Sequence, residues 1–97
     1  MKTFEDLQFE DRFFGGVAAR IEFDNGLLIS VVAGEAAYST PRQNHPNPDF
    51  FSKFEVAIMD DGEFVTKQFV AELVDDVLGW QDRDQITALM SLVQNHG

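Results

Sequence analysis

Apolar and polar residues alternate on both sides of the dipeptide Asn25-Gly26. An Asn-Gly pair between two strand-prone runs is typical of a β-hairpin with a two-residue type I′ turn, because both central residues of that turn need positive φ. Glycine adopts positive φ without a Cβ clash, and asparagine tolerates it better than most residues. The pattern predicts a hairpin over residues 17–34, in which Phe23 faces Leu28 and Ile21 faces Ser30.

The predicted register gives the two strands of this hairpin different surroundings. The first strand keeps Arg20 and Glu22 on one face and is half-solvated, whereas the run from Leu27 to Val32 is apolar on both faces. A strand covered on both faces is usually central in its sheet, or its second face is closed by another segment or subunit. The second strand is therefore predicted to be central, and it motivates the alternative of a homodimer.

A second hairpin is predicted over residues 51–70, around Asp61-Gly62. A two-residue turn places Met59 opposite Phe64 and Phe54 opposite Phe69. One face then gathers apolar side chains, with Lys67 as the exception: Phe54, Val56, Ile58, Val65 and Phe69. The other face is polar except for Met59 and Phe64 near the tip. This one-sided pattern predicts a hairpin that packs one face on the core.

The C-terminal segment 82–95 has the pattern of an amphipathic helix. Asp82 and Gln85 form a capping-box signature, with Asp82 at the N-cap. The apolar positions follow helical spacing and form one stripe: Ile86, Leu89, Met90 and Val93, with Leu92 beside them. We expect this stripe to cover the sheet. Between hairpin and helix, residues 71–81 are predicted to form a helical turn ending at Gly79.

The N-terminal segment 1–16 shows no strong periodicity. Thr3 is predicted to cap a short turn over Phe4 to Leu7, and Phe4, Leu7 and Phe9 to pack on the sheet. The charged residues there are expected to stay in water: Glu5, Asp6, Glu10 and Asp11. Phe13-Phe14 followed by Gly15-Gly16 predicts an apolar anchor and then a bend into the first strand.

Residues 35–50 form a long connection whose prolines exclude helix and central strand. Connections of this length are uncommon in a small domain, and they are usually functional or disordered. Tyr38, Arg42 and His45 are the side chains in it that are suited to binding. A loop with no partner is the alternative. The whole chain is thus predicted to be one α+β domain: a four-stranded antiparallel sheet of two β-hairpins with a C-terminal helix packed on one face.

The charge of the chain restricts its partners. Seventeen acidic and seven basic residues give a formal net charge of −10. Direct binding to nucleic acid or to an anionic membrane is disfavoured because phosphate contacts need a basic surface. A basic partner protein is favoured electrostatically. The alternative is an acidic surface that only keeps the protein in solution.

Targeting signals and cysteines are both lacking in the sequence. No apolar run approaches the roughly 20 residues of a membrane span, and the N-terminus has no apolar core of a signal peptide. The lack of cysteine excludes disulfides, thiolate metal sites and thiol nucleophiles, and it is typical of an intracellular protein. We expect a cytoplasmic protein.

Catalytic signatures are missing as well. There is no glycine-rich phosphate loop, no nucleophile elbow and no His-Glu-x-x-His motif. His45 and His96 do not make a metal site. Acid–base catalysis needs two carboxylates in environments that separate their pKa values, whereas Asp60-Asp61 is explained by the turn and Asp75-Asp76 by an N-cap pair or a solvated rim. We therefore predict a protein that is not an enzyme and has no cofactor or metal. A small enzyme that uses Asp75, Asp76 or His45 is the alternative.

Trp80 is the only tryptophan, and two roles are open for it. Core packing is the first, and an interface anchor is the second, because tryptophan is enriched at binding hot spots. The residues predicted to bind a partner are Tyr38, Arg42, His45, Asp60, Asp61, Glu63, Asp75, Asp76 and Trp80.

Four runs of the sequence resemble small uncharacterised proteins of bacteriophages and prophages: Phe23-Asp24-Asn25-Gly26 with Ile29-Ser30-Val31-Val32, Phe54-Glu55-Val56-Ala57 and Asp75-Asp76-Val77-Leu78-Gly79-Trp80. Proteins of that group look like two hairpins, an Asp-Asp-Val-Leu-Gly-aromatic signature and a short C-terminal helix. The resemblance covers residues 17–94 and implies no catalytic residue. This chain departs from the pattern by its proline-containing loop at 38–50.

The leading functional hypothesis is a non-enzymatic, phage-type accessory protein that binds a host protein. One version is an inhibitor of a host defence complex, of the CRISPR or restriction kind, whose groove for nucleic acid would accept the acidic surface. The alternative is a self-associating structural module.

Overall fold

The computed structural model describes residues 1–12 and 15–96. In this part of the chain six strands form one antiparallel sheet, and an α-helix follows: β1 (Glu10–Asp11), β2 (Val17–Glu22), β3 (Leu27–Ala33), β4 (Phe54–Asp60), β5 (Glu63–Phe64), β6 (Leu78–Gln81) and α1 (Arg83–Gln94). Three short 3₁₀ turns lie at Phe4–Asp6, Pro48–Phe50 and Thr66–Gln68. The α+β class is confirmed, but the described sheet has more strands than the four predicted. The predicted anchor Phe13-Phe14 lies outside the described residues.

The strand order is β1-β2-β3-β4-β5, and β6 also pairs with β4. β5 pairs with the end of β4 at Met59 and Asp60, whereas β6 pairs with its beginning at Phe54 and Val56. Two short strands therefore follow each other along one side of β4. We call this side of the sheet the β5/β6 edge. β3 lies between β2 and β4, so its predicted central position is confirmed.

The first hairpin forms as predicted, but its register is shifted by one residue. Ile21 lies opposite Ile29, not Ser30, and Glu22 lies opposite Leu28. The Phe23 N–H donates to the Leu27 carbonyl oxygen (2.7 Å), which leaves a three-residue loop. In this loop Gly26 has φ +88°, whereas Asn25 is not at positive φ. A type I turn followed by a left-handed glycine is the usual geometry of a three-residue hairpin loop.

Compared with the predicted register, every side chain of β3 lies on the opposite face of the sheet relative to β2, because side chains alternate with period two. The inner face now collects the apolar residues of both strands: Val17, Ala19, Phe23, Leu27, Ile29, Val31 and Ala33 are buried. Leu28, Ser30 and Val32 are half-buried on the outer face. β3 is thus apolar on both faces, as predicted, but only its inner face is fully buried. Gathering all these side chains on one face outweighs the turn preference of Asn-Gly.

Asn25 shows a second reason for the longer loop. Its Oδ1 accepts the Leu27 N–H (3.1 Å), and its Nδ2 donates to the carbonyl oxygens of Val93 (2.9 Å) and His96 (3.0 Å). The last carbonyls of a helix lack partners within the helix. Asn25 supplies a donor to them, so the first hairpin caps the C-terminal end of α1.

The second hairpin has the predicted register at its tip, where Met59 lies opposite Phe64. Asp61 and Gly62 both have positive φ, at 50° and 83°, as a two-residue turn requires. The predicted second arm to residue 70 is wrong, since β5 ends at Phe64 and a 3₁₀ turn follows. Phe54 is paired with Gln81 instead of Phe69. The predicted helical turn ending at Gly79 is also wrong, because residues 78–81 form β6.

Thr66 joins the two pieces of the β5/β6 edge. Its Oγ1 accepts the Ile58 N–H (2.9 Å) and donates to the Asp76 carbonyl oxygen (2.7 Å). The residue is 1% exposed. The hydroxyl thus satisfies a buried N–H of β4 at the gap between β5 and β6, where no strand residue pairs with it.

The predicted N-cap and the predicted apolar stripe of α1 are both confirmed. Asp82 Oδ1 accepts the Gln85 N–H (2.8 Å), and Gln85 Oε1 accepts the Asp82 N–H (2.9 Å). The buried residues of α1 are the predicted ones: Ile86, Leu89, Met90 and Val93. Leu92 is 54% exposed, so its predicted place in the stripe is wrong. The stripe packs on the inner face of the sheet.

The N-terminal segment closes one end of the same core. Phe4 and Leu7 are buried, Phe9 packs against them, and the Phe4 and Phe54 ring centroids lie 5.2 Å apart. The four acidic residues predicted to stay in water are exposed. Gln94 holds this segment to α1, because its side-chain amide exchanges two hydrogen bonds of 2.7 Å with the backbone of Lys2.

Candidate functional site

Trp80 lies on the β5/β6 edge and is 49% exposed, so the prediction of core packing is wrong. Between its two pairs with β4, β6 has one more residue than its partner, which makes a β-bulge. Trp80 sits in this bulge with φ +54°. A bulge re-aims side chains at the edge of a sheet, and positive φ in a residue with a large side chain costs about 1–3 kcal/mol. The fold therefore holds Trp80 outward at an energetic cost.

Tyr38, from the long loop, packs against Trp80. The ring centroids are 5.1 Å apart with an interplanar angle of 36°, and the Trp80 N–H donates to the Tyr38 carbonyl oxygen (2.9 Å). Gly79 permits this approach, because a Cβ on it would lie 2.8 Å from the Tyr38 Cβ. The Tyr38 N–H in turn donates to Glu55 Oε1 (3.1 Å). Two segments far apart in sequence are thereby fixed to each other.

Arg42 completes this group. Its guanidinium carbon lies 5.5 Å from the centroid of the Tyr38 ring, within the range of a cation–π contact. Three of the predicted partner-binding residues thus come together, and we call Tyr38, Arg42 and Trp80 the aromatic platform. The Tyr38 side of the platform is also exposed.

The rest of the loop at 35–50 is held by the protein's own groups. The buried Ser39 hydroxyl lies 3.1 Å from both the N–H and the carbonyl oxygen of Gly34, and Thr40 forms a bridge with Lys53. The Thr40–Pro41 peptide bond is cis. His45 does not extend the platform: its ring stacks on Phe50, with centroids 4.2 Å apart.

Arg83 ties the end of this loop to α1. Its Nη1 donates to the Phe51 carbonyl oxygen (3.1 Å) and its Nη2 to that of Pro48 (3.3 Å). The guanidinium carbon also lies 5.2 Å from the centroid of the Phe4 ring. Nothing in the sequence pattern indicated this role, because the capping box at 82–85 accounted for the segment without it.

The predicted acidic residues lie in two exposed turns. Asp60, Asp61 and Glu63 surround the tip of the second hairpin, and Asp75 and Asp76 precede β6. Lys67 Nζ lies 4.0 Å from Asp76 Oδ1, and both side chains are more than half exposed. We call these five carboxylates the acidic strip. Because β5 and β6 follow each other along β4, the strip and the aromatic platform belong to the same β5/β6 edge.

This arrangement suits binding better than acid–base chemistry. A catalytic pair of carboxylates needs environments that separate the two pKa values, usually by burying one of them, and all five carboxylates of the strip are exposed. Among residues 1–12 and 15–96, no three or more His, Asp and Glu side chains are grouped so that they could hold a metal ion. The one α-helix in these ranges is too short to cross a lipid bilayer.

Sequence reasoning missed the residues that build the site. Gly79, predicted to end a helical turn, makes room for Tyr38, and the hydroxyl of Thr66 joins β4 to the segment before β6. A glycine directly before an aromatic residue is the one signal that could have indicated the close approach. No family model matches this chain, and comparisons with curated proteins and with solved structures give no match either.

Proposed function

We propose that the protein binds a partner protein, without catalysis, through the β5/β6 edge. The aromatic platform would be the anchor, and the acidic strip would flank it. The observation that carries this proposal is Trp80, half-exposed at positive φ in a β-bulge and packed against the tilted ring of Tyr38.

The platform has the composition of a binding hot spot. Tryptophan, tyrosine and arginine are the residues most enriched among those that dominate binding energies. Trp80 and Tyr38 support each other through their ring contact, and the hydrogen bond from the Trp80 N–H to the Tyr38 carbonyl oxygen fixes the distance between their backbones. A partner would therefore meet a surface that is already ordered, which lowers the entropy cost of association.

The charge of the edge favours a basic partner. Of the five carboxylates in the acidic strip, Asp76 has a weak ion pair with Lys67, and the chain as a whole carries −10. Complementary charge accelerates encounter and selects partners more than it adds affinity. Binding through this edge should consequently weaken as salt is added, since exposed charges are screened.

The resemblance to phage proteins supports a specific version of this proposal. The partner would be a host protein that handles nucleic acid, such as a CRISPR or restriction complex, and the acidic strip would occupy a surface that otherwise binds phosphates. A groove that binds nucleic acid carries the lysine and arginine residues that such a strip would attract.

The test is a capture experiment from bacterial lysate with matched variants. Tagged wild-type protein is compared with Trp80→Ala and with Leu92→Ala, because Leu92 is an equally exposed apolar residue on α1. We expect the wild type and Leu92→Ala to retain the same basic partner at low salt and Trp80→Ala to lose it. Equal recovery by all three proteins, or recovery of no basic protein, would contradict the proposal.

The purified partner permits a direct measurement. Trp80 is the only tryptophan of the chain, so its emission reports on this edge alone when the partner lacks tryptophan or is labelled to separate the signals. Burial in an interface should shift the emission to shorter wavelength. An unchanged spectrum at saturating partner would place the contact elsewhere.

A further inference from the structure

The face of the sheet opposite α1, the outer face, has a regular arrangement. The register aligns three rows across β2, β3 and β4: Ala18–Val32–Glu55, Arg20–Ser30–Ala57 and Glu22–Leu28–Met59. Side chains in a row point to the same side of the sheet. The first two rows and Met59 of the third, together with Arg12, Phe64 and Val77, line a groove of about 290 Å³.

The groove has an apolar floor, which the described segments beside it border but leave partly open. Val32 and Met59 are half-buried in it, and Phe64 stands at its border with half of its surface exposed. Antiparallel sheets commonly leave one face to water, but such faces are then polar. Apolar side chains across the middle of this face indicate that something packs on it.

The charges of the outer face differ from those of the rest of the molecule. Arg12 and Arg20 lie toward β1 and β2, Glu55 lies on β4, and Glu10 and Glu22 complete the face. The face is therefore close to neutral on a chain with a net charge of −10. A second acidic molecule would meet less repulsion there than the net charge of the chain suggests.

The guanidinium groups of Arg12 and Arg20, the two arginines of the groove, form no ion pair within the described residues. Neither guanidinium has a carboxylate within the 4.0 Å of an ion pair, although seventeen acidic residues are present. Arg12 Nη1 is buried and has no hydrogen-bond partner in the described residues.

We propose that the outer face binds the outer face of a second copy of this chain, with a two-fold axis parallel to the strands above β3. This axis places β2 of one copy over β4 of the other. Arg20 then lies over Ala57 of the second copy, one row from Glu55 of that copy. The rows are about 7 Å apart, within reach of an arginine side chain. The contact is self-complementary, as a two-fold interface requires.

The charge pattern selects this axis over the other in-plane axis. A two-fold axis perpendicular to the strands through Ser30 would place Arg20 directly over Arg20 of the second copy, and the two like charges would repel. The strand-parallel axis instead brings the basic side of one copy over the side that carries Glu55 in the other. Two sheets would then pack face to face as in a β-sandwich.

Salt distinguishes this interface from the proposed one at the β5/β6 edge. Two copies that each carry −10 repel at long range, and salt screens that repulsion, with a Debye length of about 8 Å at physiological ionic strength. Self-association should therefore strengthen with added salt, whereas binding of a basic partner weakens. The two proposals predict opposite responses to salt, so either can fail while the other stands.

The experiment is sedimentation velocity of the full chain over a range of concentrations and salt, with charge and apolar variants. We expect a monomer–dimer equilibrium in the wild type that Met59→Glu abolishes and Leu92→Glu, on exposed α1 surface, leaves intact. Arg20→Glu should weaken the dimer about ten-fold, and adding Glu55→Arg should restore it. A wild type that stays monomeric at all concentrations and salts overturns the proposal, as does a dimer that survives Met59→Glu.

A second measurement covers the case in which the Glu55 variant does not fold. The chain has no cysteine, so Ser30→Cys places a single thiol next to the two-fold axis, and Ala88→Cys places one on the exposed side of α1 as a control. A short bismaleimide should cross-link Ser30→Cys into dimers and leave Ala88→Cys monomeric. Equal cross-linking of the two variants, or none of Ser30→Cys, would contradict the arrangement.

Discussion

The two edges of the sheet end in different ways. At the β1 side, a strand of two residues covers part of β2, and the exposed side chains around it are charged: Glu10, Asp11, Arg20 and Glu22. At the β5/β6 edge, two short strands and a bulge share one side of β4, and the exposed side chains include Phe64, Trp80 and Tyr38.

Short strands and charges are the usual means by which proteins protect a sheet edge from pairing with another chain. The β1 side follows that pattern, so its short strand is explained by protection of the edge from pairing. The β5/β6 edge is interrupted and bulged as well, but it exposes a tryptophan at positive φ, which protection does not require. Because only the β5/β6 edge exposes such a residue, we assign partner binding to that edge.

The largest expected effect is on binding, from Trp80→Ala. Truncation of a hot-spot tryptophan costs about 2 kcal/mol or more, which is about a thirty-fold loss of affinity. The comparison of edges predicts that Arg20→Ala, at the charged edge, changes affinity for a basic partner less than two-fold. Fluorescence or calorimetric titration measures both. Similar losses from the two variants would remove the distinction between the edges.

Trp80→Gly separates the binding role of this residue from its structural role. Glycine releases the strain of the positive φ, while loss of the contact with the Tyr38 ring costs about 0.5–1.5 kcal/mol. The free energy of unfolding should therefore change by less than about 1 kcal/mol, although binding is lost. A strong destabilisation would show that Trp80 serves the fold.

Thr66→Val tests how the edge is joined. The valine keeps the shape of the side chain but removes the acceptor for the buried Ile58 N–H, which should lower the free energy of unfolding by about 1–3 kcal/mol. Thr66→Ser keeps the hydroxyl and is the control, with a smaller loss expected. Urea unfolding of the three proteins gives the answer, and equal stability of Thr66→Val and wild type would contradict the role of the hydroxyl.

Gly79→Ala tests the contact between Tyr38 and β6. The added methyl group would lie 2.8 Å from the Tyr38 Cβ, so the loop must move away, at an expected cost of about 1–2 kcal/mol. We expect a small drop in thermal stability and greater quenching of Trp80 by acrylamide, because Tyr38 no longer covers one side of the indole. Unchanged quenching would mean that Tyr38 does not shield Trp80.

The smallest expected effect comes from the acidic strip. Asp75→Asn with Asp76→Asn removes two exposed charges, and such groups contribute about 0–1 kcal/mol each to stability. Stability should hardly change, but the salt dependence of partner binding should become shallower, and the association rate should fall several-fold. Stopped-flow association at two salt concentrations checks this. An unchanged rate would assign the acidic residues to solubility alone.

Local sequence signals predicted the elements that depend on local physics. The helix cap at Asp82, the stripe from Ile86 to Val93 and the two-residue turn at Asp61-Gly62 all occur as expected. Each of these features is set by residues that are close together in the sequence. The register of the first hairpin was not predicted correctly because it depends on distant residues. It is set by which face of β3 packs under α1 and by the side chain of Asn25, which caps that helix.

The site was predictable only in part, for the same reason. Residue type alone predicts a binding role for each of Tyr38, Arg42 and Trp80. Their contact with one another depends on β6, and the sequence pattern predicts a helical turn there instead. Asp75-Asp76 and Gly79 are poor strand formers, and the strand forms because Leu78 and Gln81 pair with residues of β4 far away in sequence. Long-range pairing of this kind leaves little trace in a local pattern.

Site-specific photo-cross-linking tests the central claim most directly. A benzoylphenylalanine replaces Tyr38 on the aromatic platform in one variant, and Leu92 on α1 in the other, and both are illuminated in host lysate. We predict that the probe at position 38 forms a covalent adduct with a basic host protein, and that the probe at position 92 does not. Adducts at position 92 with none at position 38 would contradict the assignment of partner binding to the β5/β6 edge.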